Sequence, residues 1–124
     1  KYVTSQVYTP ILADESVFSP QDALMILNRH AADFINIKLM KTGGIHNALK
    51  ICSIAEVYGV ECMIGCMLEA KVSVNAAVHL AAAKSIITKI DPVDGGSVFD
   101  EYRITPSKAP GLGVTKVNGI RYLD

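Results

Sequence analysis

Ala13-Asp14-Glu15-Ser16 and, one helix length further on, Phe34-Ile35-Asn36-Ile37-Lys38-Leu39-Met40-Lys41-Thr42-Gly43-Gly44 decide how this chain folds. Each begins as a short apolar run that stops on a charge: Ile11-Leu12-Ala13 meets Asp14, and Phe34 to Ile37 meets Lys38. Between them, Ser19-Pro20-Gln21-Asp22 is a helix start, with Ser19 as N-cap, Pro20 at the first helical position and an acid close behind. Ala23, Leu24, Leu27 and Ala31 then recur at helical spacing until Ala32-Asp33 closes the segment. Strand, helix, strand with a charge at the C-terminal end of each strand is how a parallel α/β enzyme presents its chemistry. Asp14 and Lys38 are therefore expected to face each other across an active site, one holding a metal and the other moving a proton.

Strand periodicity sharpens this. Phe34, Asn36 and Lys38 share one face of their strand and Ile35 and Ile37 the other, so the isoleucines should pack on helices while Asn36 and Lys38 point inward. Buried polar side chains of that kind need partners. Glu15 and Lys41, next to the two key residues, read as solvated rim charges, and Thr42-Gly43-Gly44 as a loop.

The same rhythm continues. A second helix carries Ile45, Ala48, Leu49, Cys52, Ala55 and Tyr58 on one stripe and closes at Gly59. A third strand, Glu61 to Ile64, leads into Gly65-Cys66-Met67-Leu68-Glu69. A third helix covers Lys71 to Lys84, and a fourth strand, Ile86 to Ile90, ends at Asp91. Four βα steps imply a parallel sheet with right-handed crossovers. It is either an open sheet or half of an eight-stranded barrel, and polar residues at every strand's C-terminal end favour the barrel. From Pro92 onward short β-leaning pieces (Val98-Phe99, Tyr102 to Thr105, Val117 to Tyr122) alternate with Gly and Pro turns. We therefore divide the chain into 1–91, the half-barrel, and 92–124, a C-terminal tail that packs on the barrel or on a capping domain.

With 124 residues and 12 basic against 12 acidic side chains, the chain is globular and shows no electrostatic footprint for nucleic acid or an anionic membrane. No apolar run reaches the roughly 18 residues of a membrane span. Three cysteines preclude a full disulfide framework, and Cys62-x-x-x-Cys66 has no second ligand pair for zinc, so the thiols read as buried or pocket-lining in a reducing cytosol. His30, His46 and His79 fall on predicted helices, away from the strand ends. The sequence begins at Lys1 without Met and enters a strand almost at once, as expected of a piece with an upstream part.

Ala13-Asp14-Glu15-Ser16-Val17-Phe18, Ala32 through Ile45, Cys62-Met63-Ile64-Gly65-Cys66-Met67-Leu68-Glu69-Ala70-Lys71 and Pro110-Gly111-Leu112-Gly113 together resemble the C-terminal half of an enolase-superfamily enzyme of the mandelate racemase/muconate lactonizing group. Within it the likeness is greatest to L-Ala-D/L-Glu dipeptide epimerases. The resemblance implies an α/β fold that is the C-terminal half of a TIM-type barrel. It implies Asp14 as the last of three carboxylates binding an essential Mg2+, the only one of the three in this chain. It implies Lys38 as general base on one face of the substrate, with a pKa lowered by burial and the metal. Met67 and Leu68 would contact substrate. Asp91 matches the first acid of the Asp-x-Asp pair that holds the substrate ammonium, whereas Asp94 is displaced by one residue from the second.

The capping domain, a Lys-x-Lys pair and two further metal carboxylates would lie upstream of Lys1, so this stretch alone is not expected to be active. The implied reaction is racemisation or epimerisation at the carbon alpha to a carboxylate, through an enolate. Cycloisomerisation or dehydration is the sibling outcome. The alternative of another class is a non-catalytic half-barrel that self-associates. The expected partners are a dipeptide, the N-terminal half or another copy of the chain, and a homo-oligomer, in the cytoplasm.

Overall fold

Ser19 opens the first helix as its sequence dictates. The computed structural model describes residues 1–91, 98–100, 103–105 and 111, and helix α1 runs over Pro20–Asn28. Ser19 has extended backbone, its hydroxyl accepts from the Asp22 N–H at 3.1 Å, and the Asp22 carboxylate accepts in return from the Ser19 hydroxyl and the Phe18 N–H. Donors orphaned at the helix start are thereby satisfied. The helix stops before the Ala31 that the apolar spacing includes. His30 turns the chain with a positive φ of 49°, so this histidine lies in a turn and not on the predicted helix. His46 and His79 do lie on helices.

Strand β1 (Leu12–Ala13) precedes α1, and β2 (Phe34–Lys38) follows it with the expected bounds. A short helix, α2 (Leu39–Thr42), comes next and takes Thr42 out of the expected loop. One helical turn is too short for apolar periodicity to reveal. Then come α3 (Ile45–Tyr58), β3 (Cys62–Gly65), α4 (Lys71–Ala83) and β4 (Ile87–Ile90). Gly59 ends α3 in the left-handed conformation, φ 65°, as predicted. β5 (Val98–Asp100) and β6 (Arg103–Thr105) form a separate antiparallel pair within the expected tail. The rest of that tail, including Asp94 and the strand expected at Val117 to Tyr122, lies outside the described residues.

The four main strands are all parallel and lie in sequence order, β1-β2-β3-β4. With a helix after each of the first three, this is the arrangement of half a (β/α)8 barrel. Ala13 pairs with Ile35; Ile35, Asn36, Ile37 and Lys38 pair with Cys62, Met63, Ile64 and Gly65. The β3–β4 register slips by one residue between Cys62 and Met63. Ile35, Ile37, Cys62 and Ile64 are almost fully buried in one core with Leu27, Ile51 and Ala55 from the helices. Each such aliphatic side chain contributes about 1.5–3 kcal/mol on burial. The isoleucines thus face the helices and leave Asn36 and Lys38 on the opposite face, both buried. No helix among the described residues is long and apolar enough to cross a membrane.

The cap at Ser19 is a local determinant that can be isolated. Ser19→Ala should lower unfolding stability by about 1 kcal/mol and Ser19→Gly by only a few tenths. Urea titration of the protein should show the midpoint falling at unchanged slope.

Candidate active site

Because Ala13 pairs with Ile35, the next residue on β1, Asp14, comes level with Asn36 on the inward face. Lys38, two residues on, returns to the same face. Its ammonium donates to Asp14 Oδ2 at 2.9 Å and to Glu15 Oε1 at 2.7 Å. The two residues expected to face each other are therefore in direct contact.

Lys41 departs from the expectation of a solvated rim charge, whereas Glu15 stays exposed at the rim. Helix α2 carries Lys41 one turn beyond Lys38, which brings its side chain back over the end of β1. Lys41 Nζ donates to the Asp14 backbone carbonyl at 2.6 Å and to Asp14 Oδ1 at 2.7 Å, and lies 5.8 Å from the centroid of the Phe18 ring. At 4% side-chain exposure Lys41 is more deeply buried than Lys38 at 10%. Glu15 is half exposed and completes the cluster as a second acceptor for Lys38. The Lys38-x-x-Lys41 spacing was the available signal, but it shows only once a helical turn is known to follow the strand.

Burial pushes the Asp14 carboxyl up, and the hydrogen bonds from Lys41 and Lys38 more than reverse that, lowering it from 3.8 to about 2. The lysine runs against expectation. The Glu15 hydrogen bond raises the Lys38 pKa, burial pulls it down, and Asp14 raises it further, for a net upward shift. Two carboxylates stabilise the ammonium more than its desolvation costs.

Beyond β3, Cys66 lies within the electrostatic reach of Glu69, Asp91 and Lys38. Burial and then the two carboxylates push its thiol up, and Lys38 opposes them. Met67 is partly exposed and Leu68 fully so. Their loop is fastened by Glu69, which accepts from the Met67 N–H at 3.0 Å and from the Ser73 hydroxyl on α4. Glu69 thus fixes the segment on which Met67 and Leu68 stand. Asp91, half-buried, donates its N–H to the Ile64 carbonyl at 2.9 Å and so continues the β3–β4 ladder.

Asp14 is a hard-oxygen donor of the type magnesium takes. Both its oxygens now accept from ammonium groups, Oδ2 from Lys38 and Oδ1 from Lys41. Among the described residues no group of three or more potential metal ligands comes together. Asp14 fits magnesium as one arm of a site, and the described chain does not supply a whole one.

The chain matches the enolase C-terminal domain-like family over residues 1–117. It is 60% identical to the L-Ala-D/L-Glu epimerase of Clostridium acetobutylicum over 95% of this chain and 36% of that protein. A substrate-liganded L-Ala-D/L-Glu epimerase from Bacillus subtilis superposes with a TM-score of 0.72 at 55% identity, over 73% of this chain and 25% of that one. A dipeptide epimerase from Enterococcus faecalis, complexed with Mg and the dipeptide L-Leu-L-Tyr, gives 0.72 at 60% identity, over 73% and 26%. The chain thus spans little more than a third of these relatives at most. Half-barrel topology, a strand-end Asp–Lys pair and similarity along nearly the whole sequence agree: the chain belongs to the enolase C-terminal domain-like family and resembles its dipeptide epimerases.

Proposed function

We propose that this chain is the C-terminal half-barrel of a magnesium-dependent epimerase that removes the proton alpha to a carboxylate in a dipeptide of the L-Ala-D/L-Glu type. The carrying observation is the direct Lys38–Asp14 contact on the inward face of adjacent strand ends. Asp14 is read as one ligand of Mg2+, the others coming from residues outside this chain. The ion, when bound, supplies positive charge that stabilises the enolate formed on proton loss.

Lys38 is assigned as the base on one face of the substrate. To accept a proton it must be neutral, so it has to give up the carboxylates that now hold it charged. Cation binding at Asp14 favours that release, because the carboxylate can then satisfy its charge without the ammonium. Lys41 stays on Oδ1 and the backbone carbonyl, keeping Asp14 in place as Lys38 leaves. We assign substrate contact to Met67 and Leu68, on the loop that Glu69 fastens, and Asp91 to the substrate ammonium. Asp94 belongs to the same expectation.

Residues 1–91 are proposed as the half-barrel unit and 92–124 as its tail. Among the described residues the outer edges of β1 and β4 pair with no further strand. Unpaired parallel edges call for covering, and we read them as seams to the remainder of the barrel, or to a second copy in a homo-oligomer. Cys52, Cys62 and Cys66 are all free, which fits a cytoplasmic site.

The full-length protein, incubated with L-Ala-L-Glu in deuterated water, should incorporate deuterium at the glutamyl alpha carbon. Lys38→Ala should cut that exchange by at least about 100-fold. Exchange that survives the substitution, or a wild type that never exchanges, would remove the proposal. Product analysis separates epimer from cycloisomerised or dehydrated products.

Acid should weaken the Asp14 cluster with a definite sign. The carboxyl is lowered from 3.8 to about 2, so its pairing stabilises the fold above the unfolded value and the benefit fades as pH falls from about 4 towards 2. The difference in urea midpoint between wild type and Asp14→Asn should therefore shrink between pH 5 and pH 2.5.

A further inference from the structure

We propose that Asn36 is the positioning residue for Asp14, and that position 65 is glycine because the Asn36 side chain fills the space a methyl group there would need. This rests on the function proposed for Asp14 and adds two residues to it. Asn36 is only 2% exposed. Strand register sets it level with Asp14, on the inward face shared with Lys38. Its amide is near enough to the Asp14 carboxylate to help hold that carboxyl's pKa down, after Lys41 and Lys38, while its Oδ1 is buried without a hydrogen-bond partner among the described residues. A buried orphan acceptor is expensive to keep. Packing alone would be served better by Leu or Val at this point.

Gly65 supplies the second observation. A Cβ built there would lie 2.9 Å from Asn36 Oδ1, 3.0 Å from Nδ2 and 3.4 Å from Cγ. The backbone of Gly65 is not in the left-handed region, unlike that of Gly43 or Gly59. What excludes a side chain is therefore the amide. Gly65 also pairs with Lys38 in the β2–β3 register, so the gap opens beside the base.

The arrangement suits the chemistry assigned to this corner. Lys38 must leave Asp14 in order to accept a proton, and a carboxylate that loses a donor is free to rotate. Asn36 is neutral, buried and confined over Gly65, so its amide keeps its aim whatever the charge of Lys38. Outer groups of this kind fix metal-binding carboxylates, and their loss typically costs about 10- to 100-fold in metal affinity.

A double-mutant cycle in the full-length protein tests this, reading Mg2+ affinity by calorimetric titration and stability by thermal melting. Asn36→Ala should weaken Mg2+ binding by about tenfold or more. Gly65→Ala should do the same by displacing the amide, and should lower the melting temperature. The double variant should bind Mg2+ no worse than Asn36→Ala and recover the melting temperature lost in Gly65→Ala, since the clash is gone. If Gly65→Ala fails to fold, restored folding on adding Asn36→Ala gives the same support, and a double variant that stays unfolded overturns the proposal. Unchanged Mg2+ affinity in Asn36→Ala, or losses that multiply in the double variant, also overturns it. A wild type that binds no Mg2+ defeats the proposed function instead, and the melting data still decide whether Asn36 and Gly65 are coupled.

Discussion

The Asp14 carboxylate, gripped from two sides by Lys38 and Lys41, is the contact on which the other features of this site depend. It joins the C-terminal end of β1 to that of β2, where the backbone ladder has only two register pairs. The strand itself is only two residues long, Leu12–Ala13, so the contacts at its end add to a short ladder. Two ammonium groups on one carboxylate, one bonding its backbone carbonyl as well, provide those contacts in a place mostly shielded from water. Charge-assisted bonds of this kind are stronger than neutral ones. The cluster that joins these two strand ends is also the one to which we assign the chemistry.

These two roles pull against each other. For stability, Lys38 should stay charged and paired. In the role of base that we propose for it, it must lose both its proton and its partners. The two lysines are placed differently with respect to this conflict: Lys41 is the more buried and also bonds the Asp14 backbone carbonyl, and Lys38 stands at the strand's last position. Glu15, half exposed, offers Lys38 a second acceptor at the rim.

Much of this was legible in the residues. The alternation of Phe34 to Lys38 sorts helix-facing isoleucines from inward polar groups, because a strand has a fixed period of two and one face must be apolar. Ser19 and Gly59 mark their helix ends through local hydrogen bonding and backbone angle, which depend on few neighbours. Lys41 was not legible, because its burial follows from the four-residue helix α2, and a single turn leaves no periodic trace. The raised pKa of Lys38 was equally hidden. It comes from Glu15, which is distant in sequence and reaches the lysine only after the β1–β2 register is set. The constraint on Gly65 needs coordinates, since in sequence it is one more glycine at a strand end.

The one-residue slip between β3 and β4 bears on Asp91 in the same way. In an unslipped ladder Met63 would pair with Thr88, Ile64 with Lys89, and Asp91 would turn towards the helices. The observed pairs, Met63 with Lys89 and Ile64 with Ile90, leave Thr88 as the extra residue and carry Asp91 round to the face of Asn36 and Lys38. It also explains why the helix-facing isoleucines of this strand, Ile87 and Ile90, stand three apart where a regular strand would place them two or four apart. The bulge acts as a phase shifter: it lets a strand whose apolar pattern is out of step with its neighbours still deliver an acid to the barrel interior. Evolution could thus recruit or retire that acid by inserting or deleting one residue, without altering the residue itself.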